Sequence, residues 1–198
     1  MCARYSLVVL GTGRTRRAGE AGLTVAELMN FVAIAAILAG LGMYGMSRYI
    51  RRTKTVEATG SVAKIAAGAS AYYNQSDESQ PKGTDPKAAR ATRHFPPSSR
   101  DSVPSELTSI RGKQYQSNSG DWAVSPWREM SFQISPSPQF YAYSFKSDGA
   151  GITARAQAVA HGDLDGDGHL STFSTQVAPD DELEAKVSPN LERIDPEE

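Results

Sequence analysis

Three aspartates at alternate positions carry the clearest metal-binding chemistry in the chain. Residues 162–174 read GDLDGDGHLSTFS, and the three acids are Asp163, Asp165 and Asp167. A glycine follows them, which gives the D-x-D-x-D-G start of an EF-hand-type calcium loop. Ca²⁺ takes about six to eight oxygens at roughly 2.3–2.6 Å, so alternate carboxylates supply only part of the set. The backbone carbonyl of His169 and the Ser171 hydroxyl, or a water, would supply the rest.

The loop departs from the EF-hand pattern at its twelfth position, where Ser174 replaces the bidentate glutamate. An Asp-Gly-rich turn that binds nothing is therefore the alternative interpretation. Against it, three acids within five residues repel one another unless a cation lies among them. Without the bidentate acid we expect weak binding of Ca²⁺, with a dissociation constant of about 10⁻⁴–10⁻³ M.

A second unusual carboxylate is Glu27, at the upstream edge of a long apolar run. Residues 28–47 contain no charged side chain. A charge held within a bilayer is costly and needs a partner. Thr24 and Glu27 have the S/T-x-x-E spacing of a capping box, so one interpretation is that Glu27 only closes the first helical turn.

The elements that position these groups begin with one long helix. The twenty residues 28–47 match the length needed to cross about 30 Å of hydrocarbon at roughly 1.5 Å per residue. Apolar residues then recur with helical spacing on one face, at Val62, Ile65, Ala66, Ala69, Tyr72 and Tyr73. We therefore predict a continuous helix from Thr24 to about Asn74, apolar all round in its first half and amphipathic in its second.

Three glycines, Gly40, Gly42 and Gly45, interrupt the apolar half. They permit close packing of membrane helices or provide a point where the helix can stretch or kink, and the sequence allows both. Basic residues before and after the span balance, so charge does not predict the membrane orientation. A secretory signal peptide fits poorly, because the apolar run is too long, adjoins a carboxylate and lacks a convincing cleavage site.

The amino-acid composition limits the classes of function that the chain can have. The formal net charge of −1 over 198 residues argues against general nucleic-acid binding. The only cysteine is Cys2, so removal of an N-terminal leader would leave no thiol for a disulfide, zinc or redox site. No Ser/His/Asp neighbourhood and no Gly-rich phosphate loop is evident, and we expect that the protein is not an enzyme.

The region after the helix is expected to form an α+β head. A Pro- and Ser-rich surface loop is predicted from Gln75 to about Glu106. Strands are predicted at 130–135, 140–145 and 152–159 and from near Leu170, with a hairpin turn at Asp148-Gly149. The antiparallel sheet would pack on the amphipathic half of the helix. We expect Trp122 and Trp127 to fill the core.

The start of the chain resembles the class III signal of type IV prepilins and pseudopilins. Residues 22–41 read G-LTVAELMNFVAIAAILAGL, which has the glycine, the hydrophobic first residue, the threonine, the glutamate and the long apolar helix of that signal. The order of long helix, variable loop, antiparallel sheet and C-terminal segment is similar to the pilin fold as well. Leu23 replaces the more common Phe, and the glycines stand where family members often carry proline.

The resemblance implies roles for three residues. Gly22 would precede the cleaved bond, and Leu23 would become the mature N-terminus, with its amine usually methylated by the prepilin peptidase. Glu27 would pair with the N-terminal amine of a neighbouring subunit during assembly. Some family members close the C-terminal region with a disulfide and others with calcium, and this chain looks like the second kind.

The resemblance also implies an organisation. Residues 1–22 would be the cleaved leader, 23–52 the transmembrane and assembly half of the helix, 53–178 the head and 179–198 an acidic tail. Expected partners are other copies or related pilins, the prepilin peptidase and an inner-membrane assembly platform. The protein would cross the inner membrane once before assembly and then join a surface pilus or a periplasmic pseudopilus.

The function that follows is a structural subunit of a type IV pilus-like filament. The alternative within the family is a minor pilin or a pseudopilin of type II secretion. Two alternatives come from other functional classes. One is an enzyme or receptor tethered by one membrane helix. The other is a calcium-sensing adhesin, and this role is compatible with a pilin because pilus tips adhere.

Processing is directly testable. In cells with a competent prepilin peptidase, we expect protein isolated from membranes to lack residues 1–22 and to begin at Leu23. Intact-mass analysis measures this. A mass that still includes Met1 to Gly22 would contradict the prepilin assignment.

Overall fold

A computed structural model describes residues 22–75, 91–134 and 136–196, without the side chains of Ser47 and Arg48. The chain divides into two units, one ending at Met43 and one beginning at Tyr44. Helix α1, Val25–Gln75, contributes to both. Residues 1–21 of the predicted leader 1–22 lie outside the described residues.

Helix α1 confirms the prediction of one long helix to within a residue at each end. Its 51 residues run without a break through the three glycines of the apolar half. Thr24 is non-helical, and its carbonyl accepts from the Leu28 N–H at 3.0 Å, which closes the first turn. With the antiparallel sheet described next, the α+β fold class is confirmed.

The second unit contains a five-stranded antiparallel sheet. Its strands are β3 Tyr141–Asp148, β4 Arg155–Gly162, β5 Ser171–Pro179, β6 Ala185–Val187 and β7 Glu192–Ile194. The order is β3-β4-β5-β6, and β7 also pairs with β5. A separate two-stranded ladder joins β1 Tyr115–Gln116 to β2 Pro138–Gln139, and the short helix α2 is Ser119–Trp122.

The core lies between α1 and one face of the sheet. Five residues of the predicted helical stripe, Val62, Ile65, Ala66, Ala69 and Tyr73, are fully buried. Opposite them the sheet contributes the fully buried aromatic side chains of Tyr141, Tyr143, Phe145 and Phe173. Alanine at positions 66 and 69 leaves space for large side chains next to the helix backbone. Trp122 and Trp127 are also buried, as expected, in an edge-to-face pair with centroids 5.4 Å apart.

The strand prediction was right for β5 and, with shifted ends, for β3 and β4, but wrong for 130–135. Residues 126–131 form turns instead, and residue 135 is not described. Met130 and Phe132 are buried beside α1 and the tryptophans, so alternation of apolar residues here reflected core packing rather than a strand. The β3–β4 connection is also longer than the predicted two-residue turn, since Asp148 pairs with Arg155 and a 3₁₀ turn, Gly151–Thr153, lies between them.

Two segments expected to lie outside the sheet belong to it. Ser99 donates to the Phe145 carbonyl at 2.8 Å and Val103 bridges Tyr143, so the described part of the predicted loop lines the free edge of β3. Residues 76–90 of that loop lie outside the described residues. The predicted acidic tail supplies β6 and β7, and the Ala185 N–H donates to Asn74 of α1 at 2.9 Å.

Gly68 is a close-approach position on α1. A Cβ built there would lie 2.5 Å from the Met130 carbonyl oxygen and 3.0 Å from the Met130 Cβ. Gly60, two turns earlier and exposed, has nothing within 4 Å of such a Cβ. The two helical glycines therefore allow the same substitution with opposite expected effects.

We expect Gly68→Ala to lower the free energy of unfolding by about 1–2 kcal/mol, because overpacking against the Met130 backbone outweighs the gain in helix propensity. The matched change Gly60→Ala should raise it by about 0.5–1 kcal/mol. Urea unfolding followed by tryptophan fluorescence measures both. Equal effects of the two substitutions would contradict the packing of 126–131 on α1.

Glu57 is a partly buried carboxylate that joins α1 to the start of β3. It accepts from the Phe140 N–H at 3.1 Å and from the Tyr143 hydroxyl at 3.0 Å. Burial raises the pKa of Glu57 above its usual value, although both hydrogen bonds act to lower it. Lys54, one turn away, lies over the Phe140 ring at 4.2 Å.

This raised pKa predicts a pH-dependent contribution to stability. The folded state favours protonated Glu57, so its contribution is fully present below the unfolded pKa and is lost as pH rises through the folded pKa. Glu57→Gln, which keeps an acceptor oxygen, should therefore gain more stability relative to the parent at neutral than at acidic pH. The exposed-site control Glu106→Gln serves as reference in chemical denaturation at both pH values. A Glu57→Gln effect that does not change with pH would rule out this account.

Candidate functional site

The apolar side chains of α1 in the first unit are exposed. The described side chains from Leu23 to Met43 are all exposed, and they include Phe31 at 71% and Leu41 at 67%. Among the described residues, α1 is the one helix long and apolar enough by length and composition to cross a membrane. An exposed apolar surface of this size is typical of a helix that contacts lipid or other helices.

The N-terminus of this helix has the predicted capping box. The Thr24 N–H donates to Glu27 Oε2 at 2.9 Å, and the Glu27 N–H donates to Thr24 Oγ1 at 3.3 Å. The Thr24 hydroxyl donates to the same carboxylate oxygen at 2.8 Å. These bonds satisfy backbone donors that a helix start leaves open, and they hold the Glu27 carboxylate against Thr24.

Gly22 and Leu23 lie immediately before the helix in non-helical, exposed backbone. Leu23 is 76% exposed, and a Cβ at Gly22 would meet nothing within 4 Å. An exposed, non-helical peptide bond is accessible to a protease. The structure therefore brings together the three residues Gly22, Leu23 and Glu27 within the first turn and its approach.

The acidic loop connects β4 to β5, as its position between two predicted strands suggested. One carboxylate oxygen from each of its three aspartates lies within 4.8 Å of the corresponding oxygens of the other two. Asp163 is the buried member, with its side chain 1% exposed, and it accepts from the Gly166 N–H at 2.6 Å and the Gly168 N–H at 3.0 Å. Asp165 and Asp167 are exposed and accept from backbone N–H groups two residues on.

Two arginines from distant parts of the chain reach this loop, and sequence analysis missed both. Arg51 of α1 contacts Asp165 Oδ2 at 3.1 Å through Nη1. Arg111 contacts Asp163 Oδ2 at 3.3 Å through Nε. No local signal could have identified them, since 114 residues separate Arg51 from Asp165.

The calcium ligand set is only partly assembled. The three aspartates converge, but the Ser171 hydroxyl lies in β5 and donates to the Gly162 carbonyl at 3.1 Å, fully buried. The predicted ligand at His169 is its backbone carbonyl, and the N–H of this residue donates to Asp167 Oδ1 at 2.7 Å. Ser174 at the twelfth position donates to Glu192 of β7. Calcium binding stays a prediction, and any ion would enter beside two guanidinium groups.

A second group of acids, Asp180, Glu182 and Glu184, lies in the turn between β5 and β6. Asp180 accepts from the backbone N–H groups of both glutamates and pairs with Lys186 at 2.5 Å. Those bonds shape the turn, so this group has a structural explanation.

No protein-family model, no curated protein and no solved structure matches this chain. The resemblance to type IV pilins therefore rests on residues 22–41 and on the order of the elements. It stays a prediction.

Proposed function

We propose that the chain, cleaved after Gly22, is a structural subunit of a type IV pilus-like filament. The observation that carries the proposal is the continuous helix α1, whose apolar first half is fully exposed and begins with a capped carboxylate, while its second half packs on the head sheet. Such a helix needs a bilayer before assembly and neighbouring helices after it. In a filament, residues 23–52 of neighbouring subunits would pack together and cover the apolar surface of each helix.

Glu27 is proposed to pair with the Leu23 amine of an adjacent subunit. Both described bonds from Thr24 fall on Oε2, and a carboxylate has about four lone-pair positions, so capping leaves room for a second partner. Within an apolar bundle the effective dielectric is low and attraction between the two charges is strong. A misaligned subunit would leave the carboxylate buried and unpaired, so the pair would set the register of assembly.

The proposal includes the prepilin peptidase and an inner-membrane assembly platform as partners. It places the subunit in the inner membrane before assembly and in a surface pilus afterwards. A minor pilin or a pseudopilin of type II secretion would use the same helix and the same Glu27, and the abundance of the subunit in sheared surface filaments separates these roles.

Three substitutions separate capping from pairing. Glu27→Gln removes the charge, Glu27→Leu removes the charge and the cap, and Thr24→Ala removes the hydroxyl partner but leaves the carboxylate. We expect the two Glu27 variants to lower the yield of sheared filaments at least about tenfold, since an unpaired buried charge costs more than one factor of ten in equilibrium. Thr24→Ala should assemble close to the parent level.

Intact mass of the membrane-bound subunit controls for loss of processing, so only fully cleaved variants are compared. Assembly of Glu27→Gln at the parent level would refute the pairing. If Thr24→Ala lost as much filament as Glu27→Gln, the carboxylate would serve only as a helix cap.

A further inference from the structure

The acidic loop already has positive charges against its carboxylates. Arg111 Nε lies 3.3 Å from Asp163 Oδ2, and Arg51 Nη1 lies 3.1 Å from Asp165 Oδ2. A guanidinium stays charged at any accessible pH, and its planar donors suit carboxylate oxygens. The repulsion among three acids, which favoured a bound ion when only the sequence was considered, is therefore offset by the chain itself.

The segment that carries Arg111 also contacts the acidic loop through its backbone. The Gly112 N–H donates to the Asp163 carbonyl at 2.8 Å. A Cβ at Gly112 would lie 3.3 Å from the Gly166 Cα, and Gly112 has a φ of +62°, so glycine suits both the contact and the conformation. The two chain segments are therefore held together at the point where Arg111 reaches the aspartate.

Gly168 makes room for the guanidinium. A Cβ at this residue would lie 2.8 Å from Arg111 Nη2, and its φ of +99° disfavours any side chain. Glycine at this position is what an EF-hand-type loop needs for its turn. Here the same open space accommodates an arginine.

Burial decides which of the two pairs matters more for folding. The Asp163 side chain is 1% exposed, whereas Asp165 is 27% exposed. A buried carboxylate without compensation is strongly destabilising, and Asp163 has two backbone donors and the Arg111 guanidinium to compensate it. The Arg51 pair is expected to contribute less to stability because its carboxylate is the more solvated of the two, although the Arg111 side chain is 53% exposed and that of Arg51 37%.

We propose that Arg111 and Arg51 are the built-in counter-cations of the acidic loop, which keeps its fold without a bound metal ion. Arg111 neutralises the buried aspartate, and Arg51 ties the loop to α1 through the exposed one. A divalent cation that bound Asp165 would compete with Arg51 for Oδ2. The proposal concerns the second unit alone and does not depend on filament assembly.

The test uses the full chain in detergent and follows thermal unfolding through the two buried tryptophans. The parent should have the same Tm in a calcium chelator and in millimolar calcium. Arg111→Gln should lower the Tm by roughly 4–8 °C in the chelator, which is about 2 kcal/mol at the roughly 2–4 °C per kcal/mol of a chain of this size, because the buried Asp163 loses the guanidinium and keeps its two backbone donors. Arg111→Lys keeps the charge and should recover at least half of the loss.

Arg100→Gln is the matched control, because it removes the same charge from an exposed position on another segment. A parent whose Tm falls in the chelator would overturn the proposal and support a structural calcium ion. An Arg111→Gln variant no less stable than Arg100→Gln, or an Arg111→Lys variant as unstable as Arg111→Gln, would also overturn it.

A calcium titration of Arg51→Gln tests the competition and remains informative if Arg111→Gln does not fold. We expect this variant to bind Ca²⁺ roughly three- to tenfold more tightly than the parent, because one positive charge beside the loop is gone. Isothermal titration calorimetry with calcium measures both affinities, because the Tm of the parent is expected not to respond to calcium. Equal or weaker binding by the variant would overturn the role assigned to Arg51.

Discussion

The second unit depends on one packing contact, between the small and aliphatic stripe of α1 and the aromatic face of the sheet. Ala58, Ala66 and Ala69 bring the helix close, and Tyr143 and Phe145 fill the space opposite them. Both faces belong to one buried cluster, so we expect neither element to be stable alone in water. The 126–131 turns, the segment at the edge of β3 and the C-terminal strands are arranged around this contact.

The first half of the same helix has the opposite relation to its surroundings. Its side chains are apolar all round and fully exposed, so its stability in water would rest on backbone hydrogen bonds alone. A bilayer or a bundle of helices would remove this apolar surface from water. The proposed function gives the helix these two environments in succession, and under that proposal Glu27 would set the register of the bundle.

Three carboxylates of the described chain accept hydrogen bonds from backbone N–H groups. Glu27 accepts from the Thr24 N–H, Glu57 from the Phe140 N–H, and Asp163 from the N–H groups of two glycines. Backbone donors are fixed by the fold and lose little freedom when they bind a carboxylate. A cation then contacts a carboxylate that already accepts hydrogen bonds from the backbone. At the acidic loop, the cations are the guanidinium groups of Arg51 and Arg111.

The local pattern determined the elements whose signals are continuous along the chain. Periodicity, or residues three or four apart, predicted the span of α1, its capping box at Thr24 and Glu27, its buried stripe and the strands near 141–148 and 171–179.

Tertiary structure decided what depends on residues far apart. Phe132 alternates like a strand residue but fills the core, β6 and β7 pair with β5 although their sequence is an acidic tail, and Arg51 and Arg111 meet aspartates that lie 114 and 52 positions away. Spacing along the chain predicts contacts within one turn or one hairpin, whereas these contacts exist only because the helix and the sheet pack against each other.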